Sequence, residues 1–158
     1  MKHTGIIKLV IEAVGLHDGM SKGKFSPSES NALVRDQNCE LASGMFSYSR
    51  AVGMLLFMSG HTHPDGALVV ISYSWYMFNP KLSHNLALNI LVCNLNQRKD
   101  RGLVLNPIYV VCTVDAYPDA DFFGMYGHEN PTYPACIKIH TWFIITFQYF
   151  PVLWISKL

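Results

Sequence analysis

The chain has 158 residues, a formal net charge of +1, half of its residues apolar and 15% of them charged. So low a charged fraction among so many apolar residues excludes an intrinsically disordered protein. Because the chain is nearly neutral, any contact with nucleic acid requires a local basic patch. The length predicts one domain or two small ones.

The cellular setting is predicted from cysteines and apolar runs. Cys39, Cys93, Cys112 and Cys136 form no CxxC pair, and no apolar run of the signal-peptide kind follows the first basic residues. Each longer apolar stretch is interrupted or too short to cross about 30 Å of hydrocarbon as a helix. We therefore predict an intracellular protein, cytoplasmic or nuclear, without a membrane partner.

The seven histidines raise the question of a zinc site. The closest groupings are His61 with His63 and Cys136 with His140. Neither has the paired ligand spacing of a structural zinc site. Surface histidines and buried cysteines are the preferred interpretation.

The chain begins with helical spacing and then turns polar. Apolar residues recur at every third or fourth position from Ile6 to Val14, which predicts a short amphipathic helix over residues 5–16. Residues 17–44 are rich in Ser, Gly, Asn and charged side chains. This composition predicts a loop or linker.

Three further helices are predicted before residue 100. Residues 48–59 and 64–78 are apolar nearly all round, with Pro64 suited to a first helical turn. Ser83 is a candidate N-cap for a helix that ends near Asn96.

The charge balance changes near residue 102. Residues 1–101 hold ten Lys/Arg and seven Asp/Glu, whereas residues 102–158 hold two Lys and four acids. The spacing changes at the same place from helical to short β-branched runs. We therefore predict a domain boundary between residues 100 and 107, which gives domains 1–105 and 106–158.

Short β-branched and aromatic runs predict strands in the second domain. They cover residues 109–113, 114–117, 142–147 and 152–155. The predicted fold class is α+β, with a helical segment followed by an incomplete mixed sheet. The predicted core consists of Val52, Leu55, Leu56, Leu68, Ile71, Leu86, Ile90, Leu91, Phe143, Ile145 and Trp154.

Several short motifs follow one another in order along the chain. In the first part they are YSRAVGMLLF at 48–57, GHTHPD at 60–65, YMFNP at 76–80, His84, Ala87 and RGL at 101–103. This series resembles the end of the reverse transcriptase region of copia-type retrotransposon polyproteins. In the second part they are AYPDAD at 116–121, Gly124, Thr141, Phe143 and PVLWISK at 151–157. That series resembles the opening of the ribonuclease H domain of the same polyprotein.

The resemblance implies a fold and a site. It makes residues 1–105 a thumb- or connection-like helical segment and residues 106–158 the truncated start of a ribonuclease H-like domain. In such a domain, two Mg²⁺ held by several carboxylates activate the water that cuts the RNA strand of an RNA–DNA hybrid. By resemblance Asp119 is the first of these carboxylates, a catalytic residue and metal ligand on the first strand. Asp115 and Asp121 are able to share its face of the strand.

The resemblance also indicates which activities to expect. The polymerase site of the family contains a paired-Asp turn, and this chain has no Asp-Asp pair. A Glu on a later helix and further Asp residues would complete the ribonuclease H site beyond Leu158. We therefore expect a fragment of a copia-type polyprotein that is catalytically incomplete on its own.

A noncatalytic nucleic-acid or partner-binding module derived from that polyprotein is the alternative. Arg98, Lys99 and Arg101 belong to the densest charge cluster of the sequence and would contact phosphates. Trp142 stands where the family usually has Gly. If that Gly allows a close turn, the indole is expected to crowd it.

Overall fold

The computed structural model describes residues 3–16, 26–28, 33–42, 46–101, 112–121, 128, 130, 132 and 140–157. These residues form four α-helices and one short 3-10 helix, followed by three strands, so the predicted α+β class is confirmed. The chain divides into two compact units, Met1–Leu103 and Val104–Leu158. The helices are α1 (Thr4–Val14), α2 (Tyr48–Ser59), the 3-10 helix (Pro64–Gly66), α3 (Ala67–Ser74) and α4 (Leu82–Gln97). The strands are β1 (Val114–Asp121), β2 (His140–Phe147) and β3 (Phe150–Lys157).

Helix α1 ends at a left-handed glycine. Gly15 has φ 73°, its N–H donates to the carbonyl of Glu12, and the N–H of Leu16 donates to the carbonyl of Ile11. These bonds satisfy carbonyls that the last helical turn leaves free. The buried face of α1 is the one that the apolar spacing predicts, and it consists of Ile7, Val10, Ile11 and Val14.

The same substitution at two glycines is expected to change stability in opposite directions. Gly15→Ala places a Cβ on a left-handed residue and should lower the free energy of unfolding by about 1 kcal/mol. Gly53 is an exposed residue inside α2, and Gly53→Ala should raise the free energy of unfolding by up to about 1 kcal/mol. At both positions the added Cβ meets no atom within 4 Å, so the backbone conformation alone determines the sign of the stability change. Urea unfolding followed by far-UV circular dichroism measures both changes in the free energy of unfolding. Changes of the same sign would contradict a left-handed Gly15 and a helical Gly53.

The segment predicted as one helix over 64–78 is shorter and divided. Pro64–Gly66 is a 3-10 turn, α3 ends at Ser74, and residues 75–78 form turns. The N–H of Tyr76 donates to the carbonyl of Tyr73, and the N–H of Met77 donates to the carbonyl of Ser74. Hydrogen bonds from residue i to residue i−3 therefore replace the α-helical pattern. Helix α2 has its predicted bounds.

The core of the helical unit confirms part of the predicted set. Val52 and Leu55 are fully buried and Leu91 is 1% exposed. The prediction is wrong for Leu68 and Leu86, which are 46% and 55% exposed. Because α3 and α4 carry apolar residues on most sides, spacing did not identify the face that packs. The remaining predicted core residues are half-buried, namely Leu56, Ile71, Ile90, Phe143, Ile145 and Trp154.

A buried histidine organises the start of α4. The backbone N–H of Lys81 donates to His84 Nδ1 at 3.0 Å, and His84 Nε2 donates to the carbonyl of Val34 at 2.9 Å. The ring is fully buried and stacks on Tyr76 with 4.2 Å between centroids. The predicted cap at Ser83 is wrong, because Lys81 precedes the helix and Ser83 lies inside it.

Part of the predicted loop 17–44 is held against the helices. The hydroxyl of Tyr76 donates to the carbonyl of Leu33 at 2.7 Å, and the N–H of Leu82 donates to the carbonyl of Glu40 at 3.0 Å. An isolated antiparallel bridge pairs Leu41 with Lys81. Residues 33–42 are therefore ordered by hydrogen bonds to the helical unit, and most of the other loop residues lie outside the described part of the chain.

The second unit contains a sheet of order β1-β2-β3. Both described strand pairs are antiparallel, whereas a mixed sheet was predicted. Gln148 and Tyr149, with φ 49° and 67°, form the two-residue turn between β2 and β3, as the twist of a tight hairpin requires. Strand β1 continues through Pro118 to Asp121, beyond its predicted end. The predicted strand 109–113 lies mostly outside the described residues, and residues 112 and 113 precede β1.

Candidate functional site

Asp119 lies on β1, with an exposed side chain. Antiparallel pairing places it directly opposite Trp142 of β2. Its Oδ2 accepts a hydrogen bond from the indole Nε1–H of Trp142 at 3.1 Å, and its Oδ1 accepts one from the backbone N–H of Ala120 at 2.9 Å. Both carboxylate oxygens therefore already have an N–H donor.

Trp142 does not crowd a turn, contrary to the expectation. It lies inside β2, in regular pairing with Asp119 on one side and Ser156 on the other. Opposite residues of an antiparallel pair point to the same face of the sheet, so the indole reaches the carboxylate across the strands. Its effect is to anchor Asp119.

The other acids on β1 do not complete a metal site within the described residues. Asp115 lies four residues before Asp119, which puts both on one face of the strand, and it is half-buried. Asp121 ends β1, and its side chain lies outside the described part. Among the described residues, no group of three or more His, Cys, Asp or Glu is arranged to hold a metal ion. They do not fit a two-Mg²⁺ site, and no catalytic step through Mg²⁺ follows from them.

The predicted basic cluster follows the last turn of α4. Arg98 Nη1 donates to Asp65 Oδ2 at 2.6 Å, so its charge is used in an ion pair. Lys99 is half-buried and Arg101 is exposed. Cations at this position also compensate the negative end of the helix dipole. The cluster belongs to the helical unit, whereas Asp119 belongs to the unit that contains the sheet.

The prediction of buried thiols and surface imidazoles is confirmed only in part, because His61 and His128 are exposed but the other described side chains differ from it. Cys39 and Cys93 are half-buried and Cys112 is exposed. His63 is only 7% exposed, and the fully buried His84 holds two backbone groups. Cys136 lies outside the described residues, as does the side chain of His140.

Sequence reasoning missed a group of aromatic rings at the end of α2. Phe57 and His61 stack with 4.3 Å between ring centroids, and His3 lies 5.9 Å from Phe57 and 6.2 Å from His61. Burial lowers the pKa of the neighbouring His63; the Asp65 carboxylate opposes this shift, and Arg98 and His3 add to it. The spacing of His61 and His63 was a visible signal, but the approach of His3 depends on tertiary packing.

Comparison of the chain with family models, with curated proteins and with solved structures gave no match. Within the described residues, none of the helices combines the length and the apolar character that a membrane crossing requires.

Proposed function

We propose that the chain is a fragment of a copia-type retrotransposon polyprotein that joins the end of its reverse transcriptase region to the start of its ribonuclease H domain. The ordered motifs from residue 48 to residue 157 support this origin. The order of a helical unit and then an antiparallel sheet with Asp119 on its first strand is compatible with it.

We further propose that this fragment is catalytically incomplete on its own. The supporting observation is the surroundings of Asp119. Its oxygens accept hydrogen bonds from Trp142 and Ala120, and the described residues bring no set of metal-binding side chains together. In-line hydrolysis with two Mg²⁺ needs several carboxylates from different elements.

Sequencing the transcript and the genomic locus across the codons for Met1 and Leu158 tests the origin. We expect the upstream sequence to encode a paired-Asp segment and the downstream sequence to encode a Glu-bearing helix. Frameshifts or stop codons in the flanks are compatible with a decayed copy. Flanks that encode neither segment in any frame would overturn the proposed origin.

A cleavage assay tests the catalytic proposal. The purified chain with an end-labelled RNA–DNA hybrid and millimolar Mg²⁺ is expected to release no product above a blank, and Asp119→Asn should behave identically. Asp115→Asn, on the same strand, is the matched control. Mg²⁺-dependent cleavage that disappears only in Asp119→Asn would show that the site is complete and that the proposal is wrong.

A noncatalytic nucleic-acid-binding module is the second candidate, and the exposure of Arg101 next to Lys99 favours it. Binding of a hybrid would then weaken with salt, because each neutralised phosphate releases counterions. Arg101→Ala should reduce the salt slope by about one phosphate contact, whereas Lys8→Ala, at an exposed position of α1, should not. Fluorescence anisotropy measures this, and no detectable hybrid binding at low salt would remove this candidate.

A further inference from the structure

Three histidines from two distant parts of the chain lie together in the helical unit. His3 directly precedes α1, whereas His61 and His63 follow α2. The ring of His3 stacks with Phe57 and with His61, at centroid distances of 5.9 and 6.2 Å. We call His3, His61 and His63 with Phe57 the imidazole cluster. These contacts hold the start of α1 at the end of α2.

His63 is the most buried member of the cluster. It is 7% exposed, and its Nε2 is buried without a hydrogen-bond partner among the described residues. Its Nδ1 lies 3.9 Å from Asp65 Oδ1, but the other oxygen of that carboxylate binds Arg98 at 2.6 Å. Because Arg98 already balances Asp65, an imidazolium at His63 would have no counter-charge of its own. Protonation would also leave a charged, buried N–H without an acceptor.

His3 and His61 occupy opposite ends of helix dipoles. The carbonyl of His3 accepts the N–H groups of Ile6 and Ile7, which places His3 at the positive end of α1. Nδ1 of His3 is also buried without a partner in the described part. His61 is exposed, and its Nδ1 lies 2.6 Å from the carbonyl of Phe57 at the negative end of α2.

We propose that the imidazole cluster is an acid-sensitive latch, in which protonation of the buried His63 separates the first turn of α1 from the end of α2. Among the described residues, the charged and titratable groups that face His63 are Asp65, Arg98 and His3, and of these only Asp65 attracts a proton to it. An imidazolium at His63 would be repelled by Arg98 and would have to leave its buried position to reach water. Acidification thus opposes the packing that neutral rings allow.

The direction of the pH effect follows from linkage. Burial lowers the pKa of His63 below the 6.5 of the free side chain, so the latched state binds fewer protons than the open state. Stability from the latch is complete above pH 6.5 and is lost as the pH falls from there towards the folded pKa.

Hydrogen exchange of the Ile6 and Ile7 amides tests the latch, because both donate to His3. Their protection factors should fall severalfold between pH 7.5 and pH 5.5, because the open state binds the proton that the latched state excludes. Amides in the middle of α4 should keep their protection over this range. Equal losses in both helices would indicate general acid unfolding and would overturn the proposal.

Substitutions distinguish the roles of the histidines in the imidazole cluster. His63→Gln should lose the pH dependence, and His61→Gln should keep it. His128→Gln is the matched control, since His128 is exposed and lies in the other unit. Circular dichroism of each variant at pH 7.5 checks that the helices remain folded. An unchanged acid response in the folded His63→Gln variant would overturn the proposal, as would the absence of a response in the wild type.

Discussion

Leu55→Ala is expected to lower the free energy of unfolding of the helical unit by about 2–5 kcal/mol. Leu55 is fully buried in α2, within a core to which α1, α3 and α4 contribute. Removing its outer carbons loses their transfer free energy and leaves a cavity that the neighbouring helices fill only in part. Urea unfolding followed at 222 nm reports this unit, because the described helices belong to it.

Leu86→Ala is the matched control for Leu55→Ala. The side chain is the same and lies on a helix of the same unit, but it is 55% exposed. We expect a change of no more than about 0.5 kcal/mol, as for most surface substitutions. Equal losses at the two positions would mean that α4 packs through its other face and that the described core is wrong.

His84→Phe is expected to lower the free energy of unfolding by about 2–4 kcal/mol. Phenylalanine keeps an aromatic ring beside Tyr76 but has no polar atom. The Lys81 N–H and the Val34 carbonyl then lose the partners that they have at 3.0 and 2.9 Å. A buried backbone group without a partner costs more than the net value of the hydrogen bond itself.

Two readouts distinguish this polar role of His84 from simple packing. Tyr76→Phe removes the hydroxyl bond to Leu33, so it should cost about 1 kcal/mol. His84→Phe should also increase the rate of proteolysis within residues 33–42, which this histidine helps to hold. Wild-type stability and protease resistance in His84→Phe would show that water replaces the imidazole and that the two bonds contribute little.

Local rules predicted α1 and α2 well. The three-to-four spacing of Ile7, Val10, Ile11 and Val14 singles out one face, and that face is buried. The same rules did not predict which faces of α3 and α4 are buried, because these helices carry apolar residues on most of their sides. Leu68 and Leu86 are as apolar as Val70 and Leu88, yet only the latter pair is buried. The packing partners decide between such faces, and a single sequence does not contain them.

The candidate site was predictable in position but not in contacts. The motif at 116–121 pointed to Asp119 on a strand, and its role as a metal ligand stays a prediction. The hydrogen bond from Trp142 depends on the register of two strands that are distant in sequence. The ion pair between Arg98 and Asp65 likewise joins α4 to the 3-10 turn, which charge counting along the chain did not reveal.

Composition and spacing by themselves determined the α+β class and the approximate positions of most helices and strands. These properties depend on neighbours along the chain, through backbone conformation and apolar periodicity. Only the tertiary structure decided which faces of α3 and α4 are buried, how His84 holds residues 33–42, and how His3 reaches His61. Such contacts join residues far apart in sequence, so their energies depend on packing that no local pattern encodes.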